Sequence, residues 1–157
     1  MKVIRKNVFE TNSSSVHSVT FKGVHNTENL EHLASPISII PGEYGWSGPD
    51  VAGVLEKIVY LATMILDYKY SWDEKNQKSY SDKERLAMLE DDPDWIRIQG
   101  VVRDRLDKEV EIVIPEGLDF YVDHQSCMSL ESFLGNFSLE DFLFDPSVVV
   151  EIDNDNH

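Results

Sequence analysis

Lysine and arginine stop at Lys108. Beyond it the chain carries Glu109, Glu111, Glu116, Asp119, Asp123, Glu131, Glu140, Asp141, Asp145, Glu151, Asp153 and Asp155 with no basic counterpart. The whole sequence has 14 Lys and Arg against 29 Asp and Glu, a net charge of -15. That balance excludes a broad basic face for DNA or RNA, because such binding draws on cations that neutralise phosphates. No direct nucleic-acid binding is expected. A basic protein surface is the complementary partner, and plain solubility is the competing use of so many acids.

Cysteine is nearly missing as well. Cys127 stands alone, which excludes an internal disulfide and suits a reducing, cytoplasmic setting. Long apolar runs are missing: the longest, over 58–66, is about half of the ~20 residues a membrane span needs, so no membrane partner is expected. The first six residues include three charges, Lys2, Arg5 and Lys6, and lack the apolar stretch of a signal peptide. There is no P-loop, no Gly-x-Gly-x-x-Gly and no Gly-x-Ser-x-Gly. No His-x₃-His or Cys-x₂-Cys spacing is present, so no metal site is expected.

What is present fits one domain, residues 1–157 with a polar tail from 153, and a 41% hydrophobic content sufficient for a core. A basic strand is predicted over 2–9. Residues 16–24 alternate, with His17, Val19 and Phe21 on one face and Ser18, Thr20 and Lys22 on the other. Asn26 reads as the cap of a short helix over 27–34, and Pro36 and Pro41 bound a short edge strand. Gly48, Pro49 and Asp50 read as the opening of a long central helix, whose apolar stripe is Val51, Val54, Leu55, Ile58, Leu61, Ala62 and Ile65. After a charged loop over 73–79, Ser81-Asp82-Lys83-Glu84 is a capping box for a helix through Glu90. Asp92-Pro93 starts another, with Trp95, Ile98, Val102 and Leu106 at helical spacing. Strands over 109–114 and 118–122 are predicted as neighbours, Ser129 and Ser138 each cap a helical turn, and 148–152 is a final strand. The order predicts an α+β fold: a mainly antiparallel sheet, formed by the N- and C-terminal strands, packed on the long central helix and shorter ones. A basic first strand beside acidic last strands would satisfy both ends.

Two polar stretches stand out as candidate sites. Glu10-Thr11-Asn12-Ser13-Ser14-Ser15 leads directly into His17 between two strand-like runs. Successive hydroxyls and turn N–H groups can hold a phosphate or carboxylate, and a nearby His can act as acid or base. The competing reading is a tight turn whose Asn and Ser side chains bond their own backbone. Asp123-His124-Gln125-Ser126 follows a strand, with a plain surface turn as its competing reading. His25-x-Thr27 and His124-x-Ser126 resemble the paired motifs of two-histidine phosphoesterases, but Asn26, Glu28 and Gln125 break the apolar flanks of that pattern.

The opening Phe9-Glu10-Thr11-Asn12-Ser13-Ser14-Ser15-Val16-His17-Ser18 resembles the start of a group of small uncharacterised proteins carried by bacteriophages and by bacteria such as Firmicutes. Asp123-His124-Gln125-Ser126 and Asp141-Phe142-Leu143-Phe144-Asp145-Pro146 are similar to the end of the same group. The resemblance implies kinship, pairs the two polar stretches and assigns no activity. The expectation is a small cytoplasmic protein of phage or mobile-element type with a pocket for an anionic small molecule, a nucleotide or phosphoester. Glu10, Thr11, Asn12, Ser13, Ser14, Ser15, Asp123 and Ser126 would bind it, and His17 and His124 would be acid and base in any hydrolysis. The alternative is an acidic interaction protein that occupies a basic surface on a host protein. Cofactor and oligomeric state are left open by the sequence.

Overall fold

The computed structural model describes residues 15–23, 29–45, 47–123 and 129–154. The alternating run that carries His17 forms β1 (Ser15–Phe21), and the valine-rich run near the end forms β8 (Val148–Asn154). They pair antiparallel from Ser15 opposite Asn154 to Phe21 opposite Val148. Just past β1, Lys22 Nζ lies 2.9 Å from Glu151 of β8 and 3.1 Å from Asp50, while the expected pairing of a basic first strand with the acidic end lies outside the described residues. All three side chains are partly solvated, so these pairs help fix register more than stability.

The central helix, α1 (Val54–Lys69), starts later than predicted. Val51, assigned to its stripe, instead exchanges both backbone hydrogen bonds with Val150, each 2.9 Å, and so extends the terminal pair. An extended residue there postpones the helix until Gly53 has capped it. From Lys57 to Leu66 α1 is buried except for Val59, which is half-buried, as befits a helix enclosed nearly all round.

The other strands are short. They are β2 (Ile37–Ile39), β3 (Glu43–Tyr44), β4 (Trp72–Asp73), β5 (Lys78–Ser79), β6 (Val110–Ile112) and β7 (Tyr121–Val122). β4 and β5 pair antiparallel, whereas β2–β6 and β3–β7 are parallel. The mainly antiparallel sheet therefore becomes four separate two-stranded pairs among the described residues, half of them parallel. The reason is topological: helices intervene between β2 and β6 and return the chain in the same direction. β7, expected beside β6, joins β3 instead. The fold is α+β.

The four later helices were predicted from their caps, and those caps are present. For α2 (Asp82–Glu90), Ser81 Oγ accepts from the Glu84 N–H at 3.1 Å while the Ser81 N–H donates to Glu84 Oε1 at 2.8 Å. α3 (Pro93–Leu106) is capped by Asp92, and α4 (Leu130–Leu134) and α5 (Leu139–Phe144) by Ser129 and Ser138. The helix predicted over 27–34 is a turn across its described part, where the Leu33 N–H donates to Leu30 O. The strand over 2–9 and the Asn26 cap lie outside the described residues. One hydrophobic core joins α1, Trp95, Ile98 and Val102 of α3, Phe133 of α4, Phe142 of α5 and the inner face of β8. Among the described residues, no helix is long and apolar enough to cross a membrane.

Candidate functional site

Alternation along β1 turns His17 inward and leaves Ser18 exposed. The His17 ring is 4% exposed, and both nitrogens are engaged. Nε2 lies 2.7 Å from the carbonyl oxygen of Gly45, which can only accept, so Nε2 carries the proton. Nδ1, left bare, accepts from the Tyr60 hydroxyl at 2.8 Å. Tyr60 comes from the middle of α1, is fully buried, stacks on Phe133 at 5.4 Å and meets Tyr44 edge-on at 4.8 Å. Burial pulls the His17 pKa down, opposed by the Gly45 carbonyl and by the charge of Asp123, and the net direction is down. The ring is neutral at pH 7, and this tautomer suits both of its hydrogen bonds.

Asp123 is also buried, at 9% exposure, at the end of β7. Its N–H donates to the carbonyl of Tyr44 at 2.8 Å. The adjacent carbonyls of Tyr44 and Gly45 thus receive the first residue of one polar stretch and the His that ends the other. The fold brings His17 and Asp123 to a single place. Beside it runs a groove of about 390 Å³, lined on one side by His17, Ser18 and Val19 and on the other by residues 132–137. Its polar side chains are the His17 imidazole, two serine hydroxyls and the Asn136 amide, with no lysine or arginine among the described residues of its walls. Glu10, Thr11, Asn12, Ser13, Ser14, His124 and Ser126 lie outside the described residues, as do His25 and Thr27. Ser15 opens β1 opposite Asn154, and only its backbone is described.

Several groups that shape the molecule's chemistry carried no sequence signal. Lys57 reads as a solvated charge on a helix, yet it is fully buried, with Nζ donating to the Asp145 carbonyl at 3.1 Å and lying 5.6 Å from the Phe142 ring centroid. Tyr60 sits in an apolar run where core packing is the default. Asp92 was legible as a cap but not as the centre of a buried cluster. Its Oδ1 accepts from the N–H groups of Asp94 and Trp95, and its Oδ2 from Lys69 Nζ at 2.8 Å and the Tyr70 hydroxyl at 2.6 Å. Burial and Asp92 together push the Tyr70 hydroxyl up to about 12. Among the described residues no group of three or more His, Cys, Asp or Glu is arranged to hold a metal ion.

Comparison with protein families, with curated proteins and with solved structures finds no match. The functional reading therefore rests on the chain's own chemistry.

Proposed function

We propose that this protein acts by binding, presenting a carboxylate-rich surface to a basic surface of a partner protein in the cytoplasm. The observation that carries the reading is a run of exposed carboxylates in a stretch that has no lysine or arginine. Part of the positive charge is drawn into the fold: Lys57 is buried, Lys69 is held by Asp92 and Asp94, and Lys108 donates to Leu33 O, while Lys22, Lys75, Lys78, Lys83, Arg97 and Arg103 are exposed. Arg85 stacks 4.2 Å over Phe120, and Arg105 stacks 4.5 Å over Phe144. Many carboxylates are not so engaged. Glu109, Glu111, Glu116, Asp119, Glu131 and Asp141 are exposed in the stretch that has no lysine or arginine. A field of one sign steers an oppositely charged partner and repels a like one.

The test is titration of the labelled protein with a nucleic-acid-binding domain rich in lysine and arginine, at low and high salt. Binding that weakens as the Debye length shrinks from about 10 Å at 0.1 M to about 3 Å at 1 M supports the reading. Absence of binding at low salt, or binding indifferent to salt, refutes it.

A second reading has one observation in its favour. The meeting of His17 and Asp123 at Tyr44–Gly45 supports a polar pocket for an anionic small molecule, a nucleotide or phosphoester. A thermal-shift screen of nucleotides and phosphoesters tests it, and no stabilisation by any of them removes it.

A further inference from the structure

β6 is one strand of a two-stranded pair, and its two edges are treated differently. The Ile37 N–H donates to Glu109 O and the Val113 N–H to Ile39 O, so residues 109, 111 and 113 turn their backbone groups toward β2. Val110 and Ile112 therefore turn theirs the other way. At Val110 the outward groups are closed by the side-chain amide of Gln99: the Val110 N–H donates to Oε1 at 3.0 Å and Nε2 donates to Val110 O at 2.8 Å. Gln99 stands where one peptide unit of a neighbouring strand would stand. At Ile112 no described residue bonds the outward N–H or C=O, and Ile112 lines a groove of about 360 Å³.

The groove has a chemical character of its own. Leu86, Leu89 and Trp95 of α2 and α3 give it apolar walls, and Glu90, Glu109 and Glu111, all exposed, are its charged residues. Among the described residues no lysine or arginine lines it. At the open end of the same ladder, Ile40 and Val113 are 49% and 43% exposed. An extended segment laid along β6 would find a backbone donor and acceptor, an apolar wall and three carboxylates.

We propose that this groove is the docking site for an extended, basic peptide segment of the partner protein. The segment pairs with the N–H and C=O of Ile112, continues the line that Gln99 begins, lays an apolar side chain against Leu86 and Trp95, and sets Lys or Arg against Glu90, Glu109 and Glu111. Main-chain pairing gives affinity and the alternate side chains give choice, as in other strand additions. The inference rests on the reading of the protein as a binder of basic surfaces and locates the contact within it.

The probe is a fluorescently labelled, terminally blocked peptide of alternating Arg, Lys and Val, followed by polarisation at low salt. The variants are the triple Glu90→Gln, Glu109→Gln, Glu111→Gln, a control triple Glu116→Gln, Asp119→Gln, Glu131→Gln of equal charge change, and Ile112→Pro. The proline removes the outward N–H and leaves the bonds to β2 untouched. Circular dichroism checks that each variant is folded. The groove triple is expected to weaken binding roughly tenfold, the sum of three modest charge contacts, and the control by less than about twofold. Ile112→Pro is expected to weaken it by about fivefold or more, the worth of about one hydrogen bond. Equal loss in both triples overturns the groove and leaves the acidic-surface reading standing. No binding by the unaltered protein overturns both, and full affinity in Ile112→Pro overturns the strand pairing.

Discussion

Replacing Asp92 by asparagine separates what this carboxylate does as a helix cap from what it does as a buried charge. Asparagine can still accept from the N–H groups of Asp94 and Trp95, so the start of α3 keeps its cap. It then presents an amide NH₂ to Lys69 Nζ and the Tyr70 hydroxyl, both of which donate to Asp92 Oδ2 in the native protein. A hydrogen bond to a charged group contributes about 1.5–3 kcal/mol. Lys69 is 27% exposed and keeps Asp94 at 3.1 Å, so it is not stranded and the cost falls short of that for a fully buried pair. The expected loss is about 2–3 kcal/mol, which at about 2–4 °C per kcal/mol for a chain of this size lowers Tm by about 4–12 °C.

The pH dependence provides the sharper assay. Burial opposes the charge on Asp92, but the hydrogen bonds from Lys69, Tyr70 and the Trp95 N–H outweigh it and hold the carboxyl below its ordinary value. A carboxyl depressed in the folded state contributes stability above its unfolded pKa and loses it as pH falls through the folded one. The difference in unfolding free energy between the native protein and Asp92→Asn should therefore be flat from pH 7 to about 4 and shrink below that. Urea unfolding of both proteins across this range measures it, and carboxylates common to the two cancel. A loss under about 0.5 kcal/mol at pH 7, or a difference that grows in acid, would refute the cluster as the anchor of α3.

Tyr60→Phe keeps the ring contacts with Phe133 and Tyr44 and removes the hydroxyl that donates to His17 Nδ1. A loss of about 1 kcal/mol is expected in urea unfolding, and no loss would place the hydroxyl's value elsewhere. His17, depressed chiefly by burial, should stay neutral below pH 6.5 in an NMR titration, with its share of stability present above that value and lost as pH falls through the folded pKa. Titration at or above 6.5 would contradict its burial. Gln99→Leu should cost about 1–3 kcal/mol, because it leaves the N–H and C=O of buried Val110 without their amide partners. An unchanged midpoint would mean that water replaces them freely.

The parts of the fold legible in the sequence are those written locally. Ser81-x-x-Glu84, Asp92-Pro93, Ser129 and Ser138 each satisfy helix N–H groups within three residues, so the motif and the geometry are the same thing. The alternation that set His17 opposite Ser18 likewise gave the correct face. What was not legible depends on distant partners. Val51 continues the apolar spacing of α1 and still leaves the helix, because Val150, far along the chain, offers it two backbone bonds. Lys57 sits beside Glu56 at a position that reads as a helix surface until α5 and the Asp145 carbonyl close over it. Of the candidate site, His17 and Asp123 were both named from the sequence, but Tyr60 and Gly45, which take up both nitrogens of the His17 ring, come from elements that no local pattern connects to β1.

An open strand edge is ordinarily a liability, since a second copy of the chain can pair with it. Here the two residues that alternate with Val110 and Ile112 are Glu109 and Glu111, and Glu90 lies across the groove. A second copy approaching edge to edge would bring the same carboxylates against one another, and like charges directly opposed across a strand pair destabilise it. A basic strand meets the opposite condition at every one of those positions. The carboxylates therefore discriminate by sign: they exclude self-pairing and admit a cationic segment, a choice made as much by repulsion as by attraction. This predicts that neutralising the groove with Glu90→Gln, Glu109→Gln and Glu111→Gln both weakens the basic peptide and promotes association of the protein with itself. Sedimentation velocity of the triple and the control triple at equal concentration separates this local effect from the general loss of net charge. Equal association in both would mean that the edge is guarded by the overall field alone.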